Sequence, residues 1–151
     1  MAGGWILGRA VALDLVPIGN GHSLHRPAAM AFLLMAEAAR SDGVILRVNS
    51  AFRSMLEQRR EWSLRQTAIA YGRKYKAVAL PGRSTHQSGV SVDINRADTD
   101  HTNNGIADGT TDRWLQANAS TYGWVNDVRS EPWHWTFLEG LILLKIVAGI
   151  T

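Results

Sequence analysis

No cysteine occurs among the 151 residues, which excludes a disulfide framework and every thiolate metal site. Any metal the chain binds must therefore be held by His, Asp or Glu. Proline is scarce, at four residues, and no Pro/Ser-rich linker, internal repeat or low-complexity tract divides the chain. One domain spanning residues 1–151 is expected. Long hydrophobic runs are also missing. The N-terminal MAGGWILGRAVALDLVPIG has no basic leader and is interrupted by Arg9 and Asp14, so no cleavable export signal is expected. The run from Leu141 to Ile150 contains Lys145 and is about half the roughly 20 residues a bilayer demands. It reads as a terminal core element, with no stable membrane insertion.

What is present suffices for a folded domain: 46% of the residues are hydrophobic, enough for a core without help from metal or disulfide. The net charge is +3, and the excess is concentrated. Between Arg47 and Arg83 lie Arg47, Arg53, Arg59, Arg60, Arg65, Arg73, Lys74, Lys76 and Arg83, opposed only by Glu57 and Glu61. Such a run is either a solvated face or an attractor for polyanions. No interleaved aromatic-basic pattern or nucleic-acid motif accompanies it, so a nucleic-acid partner is not expected.

From Pro27, PAAMAFLLMAEAAR predicts a helix with Pro in its first turn, ending near Ser41-Asp42-Gly43. Val44 to Asn49 alternates as a strand does. Ser54-Met55-Leu56-Glu57 has capping-box spacing and predicts a helix from Ser54 to about Tyr71-Gly72, placing Arg53 at a strand-to-helix junction. Residues 97–112, rich in Asp, Asn, Gly and Thr, read as a long surface loop. They do not make an EF-hand calcium loop, because the glycine falls two positions late and no Glu closes it. Arg113 to Tyr122 predicts a short helix capped by Gly123, and Trp133 to Leu138 a final strand.

The chemistry concentrates in two segments. In Ser84-Thr85-His86-Gln87-Ser88-Gly89-Val90-Ser91-Val92-Asp93, His86 and Asp93 are seven apart and would face opposite ways on one unbroken strand. A turn at Gly89 restores them to one side. Val90, Val92 and Ile94 then seek the core, while Ser91, Asp93 and Asn95 face a cleft. In Glu131-Pro132-Trp133-His134-Trp135-Thr136-Phe137, the aromatics Trp133, Trp135 and Phe137 share one face as a rigid wall, and His134 projects from the other. Two imidazoles, one carboxylate and a neighbouring Glu form a donor set suited to a hydrolytic zinc. On spacing alone each residue also fits a structural role: His86 and His134 as satisfied strand histidines, Glu131 as a turn residue, Arg53 as a surface ion-pair partner. His22, His25 and His101 are read as structural. No H-E-x-x-H helix is present.

These two segments resemble the S-x-H-x-x-G-x-A-x-D and E-x-W-H signatures of the VanY-type zinc D-Ala-D-Ala carboxypeptidases, a branch of the M15-like LAS metallopeptidase group that includes lysostaphin-like enzymes and the hedgehog domain. Supporting matches are Ser50-Ala51-Phe52-Arg53-Ser54 with Gln58, Trp114-Leu115, Asn118-Ala119 and Tyr122-Gly123-Trp124. The likeness spans about residues 27–138. Ser91 departs from it, standing where the family usually has Ala.

The resemblance implies that His86, Asp93 and His134 hold Zn2+, with Glu131 as general base and then acid. It also implies that Arg53 sits over the substrate and that Ser84 and Gln58 are among the substrate contacts. The implied substrate is a peptidoglycan stem peptide. The fold expected is α+β: a small, mainly antiparallel sheet with helices packed on one side and the zinc cleft on the other, working as a monomer. The expected activity is hydrolysis of a stem-peptide bond, as D-Ala-D-Ala carboxypeptidase or as endopeptidase. The site of action is the cell wall or periplasm, reached by phage lysis as an endolysin or by excision from a longer chain. The rival reading is a non-catalytic zinc-containing binding module of the same fold, which would have no use for Glu131. A third, a two-His-one-carboxylate iron oxygenase, spaces its first His and carboxylate more closely.

Overall fold

The computed structural model describes residues 1–97 and 105–150. Two hairpins begin the chain, β1 (Ala2–Ile6) with β2 (Arg9–Leu13) and β3 (Leu15–Gly19) with β4 (His22–His25). Each turns through a pair of positive-φ residues, Leu7-Gly8 at 48° and 83° and Asn20-Gly21 at 50° and 77°. That two-residue geometry matches the twist of the flanking strands. The helix α1 (Arg26–Ser41) follows, with Pro27 in its first turn as expected. It buries Ala28, Ala29, Phe32, Met35 and Ala39, a stripe at helical spacing, and packs on β3 and β4.

The expected strand at Val44 to Asn49 is displaced: β5 is Val48–Ser50. The Val44 N–H donates to the Ala39 carbonyl at 2.8 Å, which ties this residue to the end of α1. The partner strand is also too short to pair with all six residues. The helix α2 (Met55–Ala70) opens on the predicted capping box, with Ser54 Oγ accepting from Glu57 N and the Glu57 carboxylate accepting from Ser54 N at 2.7 Å. After a 3₁₀ turn at Thr85–Ser88 come β6 (Ser91–Ile94), α3 (Gly109–Asn118), a second 3₁₀ turn, β7 (Trp124–Val125), β8 (His134–Phe137) and α4 (Leu138–Val147). The helix α3 starts earlier than expected because Asp108 caps it, accepting from the N–H groups of Thr110 and Thr111. That cap converts the end of the predicted loop into a helical turn. His101 and the middle of that loop lie outside the described residues.

The strands β5, β6, β8 and β7 form one antiparallel sheet in that order, so β6 and β8 are its interior. The α+β expectation holds. Val90, Val92 and Ile94 enter a core shared with α1, Trp124, Trp135 and Phe137. Trp133 leaves the expected aromatic wall, lying before β8 and under the Arg96 guanidinium, 4.6 Å from its ring centroid. The terminal run Leu141–Ile150 is a core element along one stripe only, with Leu144 in the core and Leu141, Ala148 and Ile150 packed against it. Of α4 only Gly140 and Leu144 are buried, while Ile142, Leu143, Ile146 and Val147 stand exposed. Among the described residues no helix is long and apolar enough to cross a membrane.

Gly89 supplies the predicted break between His86 and β6. Its φ is 66°, its carbonyl accepts from His25 N at 2.8 Å, and an added Cβ would sit 2.9 Å from that nitrogen. Gly89→Ala is therefore expected to destabilise the fold by about 1–3 kcal/mol. A urea midpoint unchanged from wild type would contradict this.

Candidate metal centre

The 3₁₀ turn and the two central strands bring three side chains together. His86 sits on the turn, with its backbone carbonyl accepting from Arg53 N at 3.1 Å. Asp93 and His134 are directly opposed across β6 and β8. Asp93 Oδ1 lies 3.2 Å from His86 Nε2 and 3.2 Å from His134 Nδ1. One ligand atom from each of the three falls within 4.8 Å of the others, and all three residues are buried.

Their outer nitrogens are engaged as well. His86 Nδ1 is 2.8 Å from the Ala51 carbonyl, which accepts only, so this nitrogen carries the proton and Nε2 in the neutral ring is bare. A bare imidazole nitrogen and a carboxylate oxygen 3.2 Å apart are two acceptors facing each other. They require a shared positive charge, a proton or a metal ion. Two nitrogens and an oxygen held by a hydrogen-bonded shell suit zinc, which takes N and O donors tetrahedrally and leaves a fourth position free.

The charges respond to one another. Burial alone would raise the Asp93 carboxyl, but in the metal-free site positive charge on His86 and hydrogen bonds from the protonated imidazoles hold it far below the ordinary carboxylate range. For His134 burial pushes down, and the Asp93 hydrogen bond, with the charges of Asp93, Glu131 and Asp127, carries it above the ordinary imidazole value.

The triad opens on a cleft of about 490 Å³ that also reaches Arg53, Lys76, Arg83, Ser84, Arg96, Asp127, Glu131 and Trp133. Glu131 Oε2 is 3.7 Å from His134 Nδ1, beside the triad. Arg53 lines the cleft with one N–H donated to Gln58 Oε1 at 2.8 Å and another to Ser50 Oγ at 3.1 Å. Three of its five donors stay available. Ser84 Oγ accepts from His86 N at 3.3 Å, which leaves its own proton to give.

Gln58 was expected at the substrate. It is fully buried, does not line the cleft, and spans from Arg53 to the Ala79 carbonyl, accepting at 2.8 Å and donating at 2.8 Å. Nor does the polar face of β6 open to the cleft as a whole, since only Asp93 reaches it. Ser91 is bonded to Thr136, and Asn95 donates to the Asp108 carbonyl. His25 is structural as expected: its Nδ1 accepts from Asp14 N at 3.1 Å.

Sequence reasoning passed over Asp127, Thr136 and Thr85. Thr136 shares the His134 face of β8 by simple alternation, a signal the sequence did carry. Asp127 and Thr85 come from separate segments, and no periodicity marks them. Three members of the basic run, Arg53, Lys76 and Arg83, do line the cleft, with Lys76 held by Glu61 at 2.9 Å.

Comparison with known proteins agrees with this geometry. The family model for D-alanyl-D-alanine carboxypeptidase, VanY, matches residues 21–140. A Bacillus subtilis protein that carries the name of a carboxypeptidase, YodJ, is 32% identical over 123 residues, covering 74% of this chain and 45% of YodJ. A D-alanyl-D-alanine carboxypeptidase of Enterococcus faecalis is 27% identical over 146 residues, covering 83% of this chain and 52% of the enzyme. The chain thus spans about half the length of these curated relatives. Among solved structures, VanYB in complex with D-Ala-D-Ala superposes with a TM-score of 0.67 at 26% identity, covering 93% of this chain and 86% of that one. A mutant of a vancomycin-resistance D,D-pentapeptidase, VanY, solved with Zn(II), superposes at 0.64 with 24% identity, covering 92% and 86%, a likeness of fold.

Proposed function

Since the chain belongs to the VanY family of D-alanyl-D-alanine carboxypeptidases, we propose that it hydrolyses a peptide bond at the D-Ala end of peptidoglycan stem peptides, with zinc held by His86, Asp93 and His134. One observation carries this reading: the facing acceptors of the triad, 3.2 Å apart and needing a cation between them, sit at the cleft wall with Glu131 beside them. A zinc ion bound there supplies Lewis acidity, polarising the scissile carbonyl and making water acidic enough to lose a proton near neutral pH.

The remaining work belongs to side chains. Glu131 accepts the proton of the attacking water on its carboxylate and returns it to the departing D-Ala amine. Arg53, aimed by Ser50 and Gln58, offers its free N–H groups to the terminal carboxylate or to the developing oxyanion. Ser84 donates its hydroxyl to the peptide. The terminal-carboxylate role favours trimming of a terminal residue over internal cleavage.

Arg53→Ala is expected to lower kcat/KM by about 10- to 100-fold, the worth of a charged hydrogen bond of roughly 1.5–3 kcal/mol. Gln58→Leu should raise KM by less, acting only through the aim of Arg53. Equal activity of Arg53→Ala and wild type on a stem pentapeptide would remove Arg53 from the site.

The deciding experiment incubates the zinc-loaded protein with defined muropeptides and weighs the products. Release of free D-Ala from pentapeptide supports the carboxypeptidase reading. Split crosslinks or detached stems would make it a lytic endopeptidase of the endolysin kind. Zinc binding with no cleavage of either substrate would leave the binding module as the better account.

A further inference from the structure

On β6 and β8 a two-by-two block of side chains faces one way: Asp93 opposite His134, and Ser91 opposite Thr136. The first pair belongs to the metal centre. The second pair, fully buried, lies immediately behind it, and Asp127 reaches in from the segment after β7. Thr136 Oγ1 is the hub of this shell. It stands 2.9 Å from Asp127 Oδ1, 2.8 Å from Ser91 Oγ and 3.2 Å from His134 Nε2.

A hydroxyl has one proton and two lone pairs, whereas a carboxylate can only accept. The single Thr136 proton therefore goes to Asp127. Both lone pairs remain, one for the Ser91 proton and one for a proton on His134 Nε2. All donors and acceptors around Thr136 are then satisfied in a site where an unpaired polar group is costly. The alternative tautomer, with the proton on Nδ1, would set a bare Nε2 against an oxygen whose only hydrogen is already committed.

We propose that Thr136, oriented by Asp127 and Ser91, is the positioning residue that keeps the His134 proton on Nε2 and so presents a bare Nδ1 to Asp93 and to the metal. This rests on the metal-centre reading above and extends it to residues outside the ligand set. It also gives a purpose to Ser91, where this chain departs from the usual Ala. The Ser91 hydroxyl occupies the second lone pair of Thr136 and holds the hub in one rotamer.

Among the described residues, removing the Thr136 hydroxyl leaves His134 Nε2 with Thr85 Oγ1 and Asp127 Oδ1, each at 3.5 Å, beyond the usual range of an N–H···O bond. Loss of an outer-shell partner of a ligating histidine costs about 10- to 100-fold in metal affinity. Thr136→Val, nearly isosteric, is expected to weaken zinc binding by about that factor in competition with a chromophoric chelator. Thr136→Ser, which keeps the hydroxyl, should restore it. Ser91→Ala should cost less than Thr136→Val, because the direct partner of His134 survives.

In the ¹⁵N-labelled, zinc-loaded protein the His134 Nε2–H should exchange slowly with solvent, and Thr136→Val should abolish that protection. Should Thr136→Val fail to fold, Asp127→Asn tests the same wiring from a less buried position. A carboxamide can donate to Thr136 and turn its proton toward the imidazole, so zinc affinity should again fall. Wild-type zinc affinity and slow exchange in Thr136→Val or, if needed, Asp127→Asn would overturn the proposal while leaving the metal centre intact. A wild-type protein that binds no zinc would overturn both.

Discussion

Glu131→Gln protein should take up one zinc per chain, as is expected of wild type, and yet hydrolyse stem pentapeptide about 10²- to 10⁴-fold more slowly, the usual contribution of a positioned general acid–base. The substitution keeps the size of the side chain and removes its basicity. Its carboxylate lies 3.7 Å from His134 Nδ1, close to the triad without sharing the short contacts that join Asp93 to both imidazoles. Metal uptake should therefore survive. Glu131 is about a quarter exposed at its side chain and lines the cleft, so its proton can be exchanged with water and passed to a leaving amine. Two measurements decide the matter, zinc stoichiometry by metal analysis and product release by mass. Undiminished hydrolysis would remove Glu131 as the base. Lost zinc would instead make it a ligand.

In the metal-free form of this variant the mean charge on His134 should also fall, because Glu131 is among the anions that raise its pKa there. That effect is secondary to the Asp93 contribution and changes no ligand.

The parts of this molecule that were legible in the sequence are those in which a local rule coincides with the tertiary arrangement. The capping box at Ser54 and Glu57 names the start of α2 to the residue. The parity conflict between His86 and Asp93 demands a break, and Gly89 with its positive φ provides it. The clustering of His86, Asp93 and His134 was reached from this parity and a signature. What escaped was governed by partners distant in sequence. The N-terminal hairpins carried a readable Asn20-Gly21 turn, but their strands are five residues or fewer, too short for alternation to stand out.

Gln58 was placed in the cleft because sequence spacing cannot tell a residue that lines a cleft from one that lies behind it and bonds a lining residue, here Arg53. Its burial and its bond to the Ala79 carbonyl, 21 residues away, decide this. The run of apolar residues in α4 promised burial that the fold does not deliver, since one stripe of a helix at the edge of a domain meets the core and the rest does not. The hub at Thr136 is likewise a product of cross-strand register: Val125 and Ser91 flank Thr136 on its two neighbours, and neither is close to it in the chain.

Asp93→Asn is expected to be the most damaging single change to the site. The carboxylate is 5% exposed and, among the described residues, is the one anion in short contact with both imidazoles. An amide oxygen is a weak zinc ligand, and an amide nitrogen would point a donor at a cation. Zinc affinity should drop by well over about 100-fold, more than the loss of an outer-shell hydrogen bond costs, and hydrolysis should go with it.

The metal-free, chelator-treated protein offers a second reading of the same change. In wild type the Asp93 carboxyl is lowered, so its contribution to stability is present above its unfolded value of about 3.9 and is lost as pH falls through the folded one. His134 is raised, so its contribution is complete below its unfolded value of about 6.5 and is lost as pH rises through the folded one. The stability gap between wild type and Asp93→Asn should therefore be widest between about pH 4 and 6.5 and should narrow on either side. In the variant, burial acts on His134 with the Asp93 hydrogen bond and charge removed, so NMR titration should find its pKa displaced downward from wild type. Were Asp93→Asn to bind zinc as tightly as wild type, or to leave the His134 titration where it was, the buried carboxylate would not be the group that draws the two imidazoles and the cation together.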